Sequence, residues 1–274
     1  TLHRHLPLSS IMSIESRAEN MRYILSTLLA EREEYAGWQI PDTLEKQQSL
    51  MRALLNVRPP HPVSPEFLQA QDAELGLQLA DKGIVALSDI PSCQSDGRLR
   101  IWQGDITRLQ ADAIVNAANN ALLGCFVPLH RCIDNAIHSA AGVQLRLECN
   151  KLMQAQGHPE STGRAKITQG YKLPARYVLH TVGPIVRDGT PTPKQERELA
   201  DCYRSCLALA DAYLLQSIAF CCISTGEFGF PQERAAQIAV ETVIDCLKTT
   251  SCIQTVVFNV FKDEDLSIYR RLLP

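Results

Sequence analysis

Positive charge is not in surplus in this chain: 27 Lys and Arg stand against 30 Asp and Glu, a formal net charge of −3. No overall basic field is therefore available to draw in nucleic acid. Long hydrophobic runs are missing as well. The longest, such as "SIAFCCIS" and "TVVFNVF", are far too short to cross a bilayer. The opening "TLHRHLPLSSIM" lacks an apolar signal core and a small-residue cleavage site, and no internal repeat or low-complexity tract is visible. What remains is a chain of 274 residues, 45% hydrophobic and 21% charged. That is enough to bury one generous domain, or one domain with a smaller companion, without covalent staples.

Cysteine is plentiful, with ten residues, but a chain this long and apolar does not need a disulfide framework. Cys202, Cys206, Cys221, Cys222 and Cys246 fall inside apolar periodic segments, where a free thiol acts as a small buried hydrophobe. A reduced, cytoplasmic protein is expected, and nothing requires more than a monomer.

Two helices are expected within 14–57. Met21, Ile24, Leu25, Leu28 and Leu29 recur at three- and four-residue steps, and Asp42 or Thr43 can cap a second helix carrying Leu44, Leu50, Met51, Leu54 and Leu55. The proline-rich "VRPPHPVSPE" must run extended. Ser64 then offers an N-cap before Pro65, opening a third helix to about residue 81. Packing or partner docking is the expectation for this section, which shows no chemistry of its own.

From residue 98 the texture changes. "LRIWQGD", "DAIVNAA", "YVLHTVG", "SIAFCCIS" and "TVVFNVF" are short runs, most of them nearly continuous in apolar residues, as strands buried on both faces must be. Helical candidates lie between them at 132–157, 194–214 and 232–249. The alternation predicts a three-layer α/β/α domain with ligands gathered at strand ends. We divide the chain into residues 1–90, a helical extension with its linker, and 91–274, the α/β domain.

Four segments at strand ends carry a functional signal. Asp105 in "GDIT" follows a strand, where a carboxylate can accept from an exocyclic amine or simply cap a helix. Asn116 and Asn119 in "VNAANN" bring amides that both donate and accept, as sugar hydroxyls require, although asparagine also favours turns. "STGEFGF" at 224–230 leaves a strand and precedes a helix. Its backbone N–H groups can cradle a phosphate, Ser224 and Thr225 add hydroxyls, and Phe228 or Phe230 can cover a ribose. No Lys-Ser/Thr pair follows its second glycine, so it is not a P-loop. Phe261 ends the last strand, either to stack on a base or to fill the core. Between these segments, "LLGCFVPLHRCIDNAIHSAAG" puts Cys125, His130 and Cys132 within eight residues, in keeping with a metal site, a redox pair or packing.

Taken in order, "GDIT … AIVNAAN … IHSAAG … YVLHTVGP … ISTGEFGFP" resembles the macrodomain family, modules that bind ADP-ribose, over roughly residues 99–274. The resemblance implies a mixed central sheet between helices. It also implies Asp105 and Ile106 near adenine, Asn116 and Asn119 near the distal ribose, and Ser224, Thr225, Gly226, Glu227 and Phe228 on the diphosphate. Hydrolytic macrodomains usually carry glycines before "IH.AAG". Cys125, His130 and Cys132 stand there instead, and C-x4-H-x-C looks like the zinc-dependent branch found in bacteria and fungi, whose members also carry a helical N-terminal extension.

The chemistry of the trio agrees. Two thiolates and one imidazole suit Zn2+, and three protein ligands leave a tetrahedral position open. Cys149 or His138 would have to supply a fourth ligand for a closed structural site. A redox pair is disfavoured, because six residues separate Cys125 from Cys132 instead of two. The expected activity is zinc-dependent removal of mono-ADP-ribose from modified protein side chains, with one catalytic Zn2+ beside the distal ribose. Asn119 would hold that ribose. Asp134, where the related zinc-free hydrolases place a carboxylate, would orient or deprotonate water or merely cap its helix. Glu227 would contact the activated water. A non-catalytic reader of ADP-ribose, or a hydrolase of small ADP-ribose esters, are the alternative functions. The resemblance also suggests a lipoyl-carrier protein, modified by a sirtuin-like transferase, as substrate.

Overall fold

A computed structural model describes residues 14–274; the opening segment considered above for a targeting signal lies outside the described residues. Helix α1 (Ile14–Leu29) buries Met21, Ile24, Leu25 and Leu28 of the three- and four-step series and half-buries its fifth residue, Leu29. Of the two capping candidates for α2 (Leu44–Val57), Thr43 takes the role, its side chain accepting from the Lys46 amide. Ser64 caps α3 (Pro65–Lys82) by accepting from the Phe67 amide, and Gly83, at φ 85°, ends it. Met51 and Leu54 of α2 and Phe67 and Leu75 of α3 close over the α1 stripe to form a small core of their own, joined by Val143 from a later helix. Among the described residues no helix is long and apolar enough to cross a membrane.

The remainder builds one six-stranded sheet. Along the chain come β1 (Val85–Ala86), β2 (Leu99–Gln103), β3 (Leu109–Gln110), β4 (Ala113–Ala117), α4 (Ile133–Ala141), α5 (Val143–Gln156), β5 (Ala165–Gln169), β6 (Tyr177–Thr181), α6 (Pro193–Ala212), β7 (Ser217–Phe220), α7 (Gln232–Cys246), β8 (Thr255–Val260) and α8 (Asp263–Leu272). The strand order is β2-β8-β7-β4-β6-β5, and β1 pairs only with β3. Every pairing in the large sheet is parallel except β5 with β6, so the sheet is mixed as expected. Both faces are covered, and β4, β7 and β8 are buried almost throughout.

The single helix expected over 132–157 is two. Gly142, at φ 99°, breaks it and serves as both the C-cap of α4 and the N-cap of α5. Without a side chain it also lets Gln71 of α3 approach; a Cβ there would lie 2.5 Å from the Gln71 amide nitrogen. Strand β5, which buries only Thr168, and the amphipathic helix α8, which buries Ile268 and Tyr269, lie outside the segments expected from the sequence. Because β2, β8, β7, β4 and β6 run parallel, their carboxyl ends share one edge of the sheet, where ligands of open α/β sheets bind.

Candidate active site

A cleft of about 900 Å³ opens at that edge. All the parallel strands feed it: Gly104–Thr107 after β2, Ala117–Asn119 at the end of β4, Gly183 after β6, Cys221, Cys222 and Ser224–Phe228 after β7, and Phe261 after β8. The helical section, expected only to pack or dock, supplies another wall through Gln48, Met51 and Arg52 of α2 and Leu75, Gln78 and Lys82 of α3.

At the β2 end, Asp105 acts as the cap that the sequence allowed. Its Oδ1 accepts from the Thr107 amide (2.9 Å) and hydroxyl (2.6 Å), capping a short 3-10 turn, while Oδ2 lies 3.3 Å from Lys82 Nζ. Burial raises its pKa, but the Thr107 hydrogen bonds and the Lys82 charge outweigh that and hold the carboxyl below its usual range. Ile106 is buried beside it, with its edge on the cleft. Phe261 is not a core residue. It lies just past β8, 79% exposed, free to cover a planar ring.

The β7 loop suits an anion. Ser224 has φ 67° and a buried hydroxyl without a partner, while the Thr225 hydroxyl donates to the Cys222 carbonyl. The Gly229 and Phe230 amides close the loop onto Gly226 and Ser224. Among the described residues, the amides of Gly226, Glu227 and Phe228 make no hydrogen bond within the chain, and successive free N–H groups form an anion nest. Gly183 must lack a side chain, since a Cβ there would lie 2.0 Å from Ser224 Oγ. Of the two phenylalanines, Phe228 lines the cleft and Phe230 is core.

Asn119 lines the cleft. Its Oδ1 accepts from the Ala121 amide and its Nδ2 donates to the Gly124 carbonyl, so it forms the turn as well. Asn116 does not reach the cleft, contrary to expectation. Its place on β4 turns it under the sheet edge, fully buried, where Nδ2 donates to Asp134 Oδ1 at 2.8 Å and lies 3.1 Å from His180 Nδ1. Asp134, in the first turn of α4, is 5% exposed yet faces the cleft. Burial pushes its pKa up to about 6, against the hydrogen bond from Asn116 and the charge of Arg146.

Cys125, His130 and Cys132 come together on the cleft wall, with one ligand atom of each within 4.8 Å of the others. His130 Nδ1 is buried without a hydrogen-bond partner, and its Nε2 lies 2.8 Å from Glu227 Oε1. An imidazole held by a carboxylate through one nitrogen presents the other to a metal. Cys132 is also the N-cap of α4, its sulfur accepting from the Asn135 amide at 3.4 Å. Burial, with Cys125 close by, pushes its thiol up to about 12. The donor set therefore fits a soft divalent cation such as zinc.

Neither His138 nor Cys149 joins this trio. They form a second, fully buried group with His180. His180 already has partners on both ring nitrogens, Asn116 Nδ2 and the Thr168 hydroxyl at 2.9 Å, as expected of a polar network within the core. Burial lowers the pKa of His180 to about 3 and that of His138 in the same direction.

The Macro domain family model matches residues 115–239. A protein-ADP-ribose hydrolase of Treponema medium is 48% identical over 260 residues, covering 94% of this chain and 99% of that protein. This chain belongs to the Macro domain family. A protein-ADP-ribose hydrolase of Staphylococcus aureus (strain MSSA476) is likewise 48% identical, over 94% of this chain and 96% of its own length. Among solved structures, the Trypanosoma brucei macrodomain in complex with ADP-ribose superimposes with a TM-score of 0.63 at 31% identity, covering 81% of this chain and 94% of that one. The Oceanobacillus iheyensis macrodomain mutant G37V with ADPR gives 0.58 at 41% identity, covering 63% and 90%. Beyond the macrodomain signature, sequence reasoning missed Lys82, Arg52 and Arg146. None of the three belongs to a motif that side-chain type or spacing singles out.

Proposed function

We propose that this chain hydrolyses mono-ADP-ribose from modified protein side chains, with a zinc ion held by Cys125, His130 and Cys132. The observation that carries this reading is the opening of that trio onto the same cleft as the anion nest of 224–228. Near-full-length likeness to proteins named protein-ADP-ribose hydrolase supports the activity.

The chain's own residues divide the work. Gly226, Glu227 and Phe228 offer amides to the diphosphate, and Asp105, Ile106 and Phe261 receive the adenine. Asn119 holds the distal ribose, so the anomeric bond is brought towards the trio and Asp134. When bound, zinc would supply Lewis acidity, polarising an oxygen at the distal ribose or lowering the pKa of a water there. Asp134, kept dry and fixed by Asn116, orients the attacking water. Glu227 fixes the His130 ring through Nε2.

The substrate we propose is a lipoyl-carrier protein modified by a sirtuin-like transferase, met by a monomer in the cytoplasm. One relative whose name pairs both activities supports the link. It is the probable bifunctional ADP-ribose hydrolase/ADP-ribosyltransferase of Fusarium oxysporum f. sp. cubense, 42% identical over 82% of this chain and 40% of its own length.

The test pairs metal analysis with ADP-ribose release from a mono-ADP-ribosylated protein, before and after chelation. One equivalent of zinc, with turnover lost on stripping and restored by zinc, is the expected result. ADP-ribose binding without turnover would make the protein a reader. Turnover confined to small ADP-ribose esters would move the substrate to free metabolites.

A further inference from the structure

Between Leu122 and Ile133 the chain forms neither helix nor strand, yet it is tied down at intervals from outside. Arg146 of α5, 6% exposed, donates through Nε to the Leu123 carbonyl at 2.6 Å and through one terminal nitrogen to the Cys125 carbonyl at 3.4 Å. Its guanidinium carbon sits 3.9 Å from the centre of the Phe126 ring. The other terminal nitrogen reaches the end of α2, donating to the carbonyls of Leu55 (3.1 Å), Asn56 (2.9 Å) and Arg58 (2.7 Å).

Helix α2 also grips the loop directly. Asn56, 2% exposed, accepts from the Leu129 amide at 3.0 Å and donates to Ser139 Oγ at 3.0 Å. Arg52 donates to the His130 carbonyl at 3.3 Å and to Asn135 Oδ1 at 2.8 Å, and Asn135 in turn donates to the Val127 carbonyl at 3.0 Å. The main chain at two ligand residues, Cys125 and His130, is thus held by arginines, and the third, Cys132, accepts from the Asn135 amide.

We infer that Arg146 and Asn56 are positioning residues for the Cys125–His130–Cys132 loop, so that the N-terminal helical unit is a working part of the metal site. The inference rests on the zinc reading above. Three soft ligands on an irregular segment would otherwise lose backbone entropy when a cation gathers them; a loop already clamped has met that cost on folding. Only a guanidinium can serve both sides at once, because its planar fork offers five donors where a lysine offers one point charge. Neither Arg146 nor Asn56 lines the cleft, so neither acts by touching substrate.

The test compares the full-length protein with Arg146→Lys and Asn56→Ala. Zinc affinity is read by competition with a chromogenic chelator, and site geometry by the thiolate charge-transfer bands of the cobalt-loaded protein. Loss of such outer partners weakens metal binding about 10- to 100-fold. A weakening of that size in either folded variant, with altered cobalt bands, ADP affinity within about 3-fold of wild type and turnover rescued by excess zinc, is the expected result. Asn56→Ala keeps the test decisive if Arg146→Lys does not fold. Zinc affinity and cobalt bands equal to wild type in the folded variants would overturn the inference while leaving the zinc reading intact. A wild-type protein that takes up neither metal would overturn the zinc reading itself, and the inference with it.

Discussion

Asn116 Nδ2 lies 2.8 Å from Asp134 Oδ1, with both side chains buried, so a carboxylate facing the cleft is fixed by an amide from the strand beneath it. The same amide reaches His180 Nδ1 at 3.1 Å. Hydrogen bonds of this kind are strong in a dry interior, and leaving a partner unmet there is costly.

Replacing Asn116 with alanine therefore acts at two levels. Folding stability falls by about 1–3 kcal/mol, the usual cost of a buried polar group left unpaired. Turnover falls about 10- to 100-fold as Asp134 loses its orientation, while ADP-ribose affinity holds. Thermal unfolding, calorimetric titration and a turnover assay check the three statements; an unchanged rate would remove Asp134 from the chemistry.

Stability should decline in mild acid. His180 titrates at about 3 in the fold, against about 6.5 in an unfolded chain. Between those values the unfolded state binds the extra proton, so this contribution is complete above pH 6.5 and is lost as the pH falls towards 3. At pH 5.5 His180 alone costs about 1 kcal/mol, and His138, lowered in the same direction, adds to it, while Asp134, raised to about 6 by burial, is protonated first in the fold and offsets part of the loss. Denaturant unfolding of Asp134→Asn at pH 7.5 and 5.5 removes that offset and isolates the histidines; equal stabilities in this variant would contradict the buried neutral histidines.

Cys132 caps α4 and, on the zinc reading proposed above, is also a ligand, two roles that substitutions can separate. Cys132→Ala removes both the sulfur and the helix cap, whereas Cys132→Ser restores a capping oxygen worth about 1 kcal/mol. Serine should recover the melting temperature that alanine loses. Neither variant should retain a full equivalent of zinc, and both should lose turnover by about 100-fold or more. Full turnover in a metal-free Cys132→Ala protein would end the zinc mechanism.

Gly183→Ala tests the anion nest. The added methyl would meet Ser224 Oγ at 2.0 Å, so the 224–228 loop must shift, at a packing cost of about 1–3 kcal/mol. ADP affinity should drop about 10-fold, since hydrogen bonds to a charged group are worth about 1.5–3 kcal/mol each. ADP bound as tightly as by wild type would place the diphosphate elsewhere.

Much of this architecture is legible in the sequence because burial imposes patterns. The β4, β7 and β8 runs are nearly continuous in apolar residues because helices cover both faces, and Thr43 and Ser64 announce helix starts. The same burial hides which way Asn116 points, since a strand covered on both faces shows no polar alternation to give its register away. Gly142 breaks a helix that periodicity alone would continue. The ligand trio stands out by residue type and spacing, but its clamp does not. Arg146 and Asn56 work through main-chain carbonyls and amides, and those leave no signature in side-chain identity.

The clamp also has a bearing on how the protein matures. Its contacts join positions far apart along the chain: Asn56 to Leu129 spans 73 residues and Arg146 to Leu55 spans 91. Links of such length form late, after local helices and hairpins. The 122–133 loop would then take its shape only once the amino-terminal helices have docked on the sheet domain. On the zinc reading proposed above, metal loading would be the closing act of folding, and a nascent chain stalled before docking would offer the cation only loose thiols.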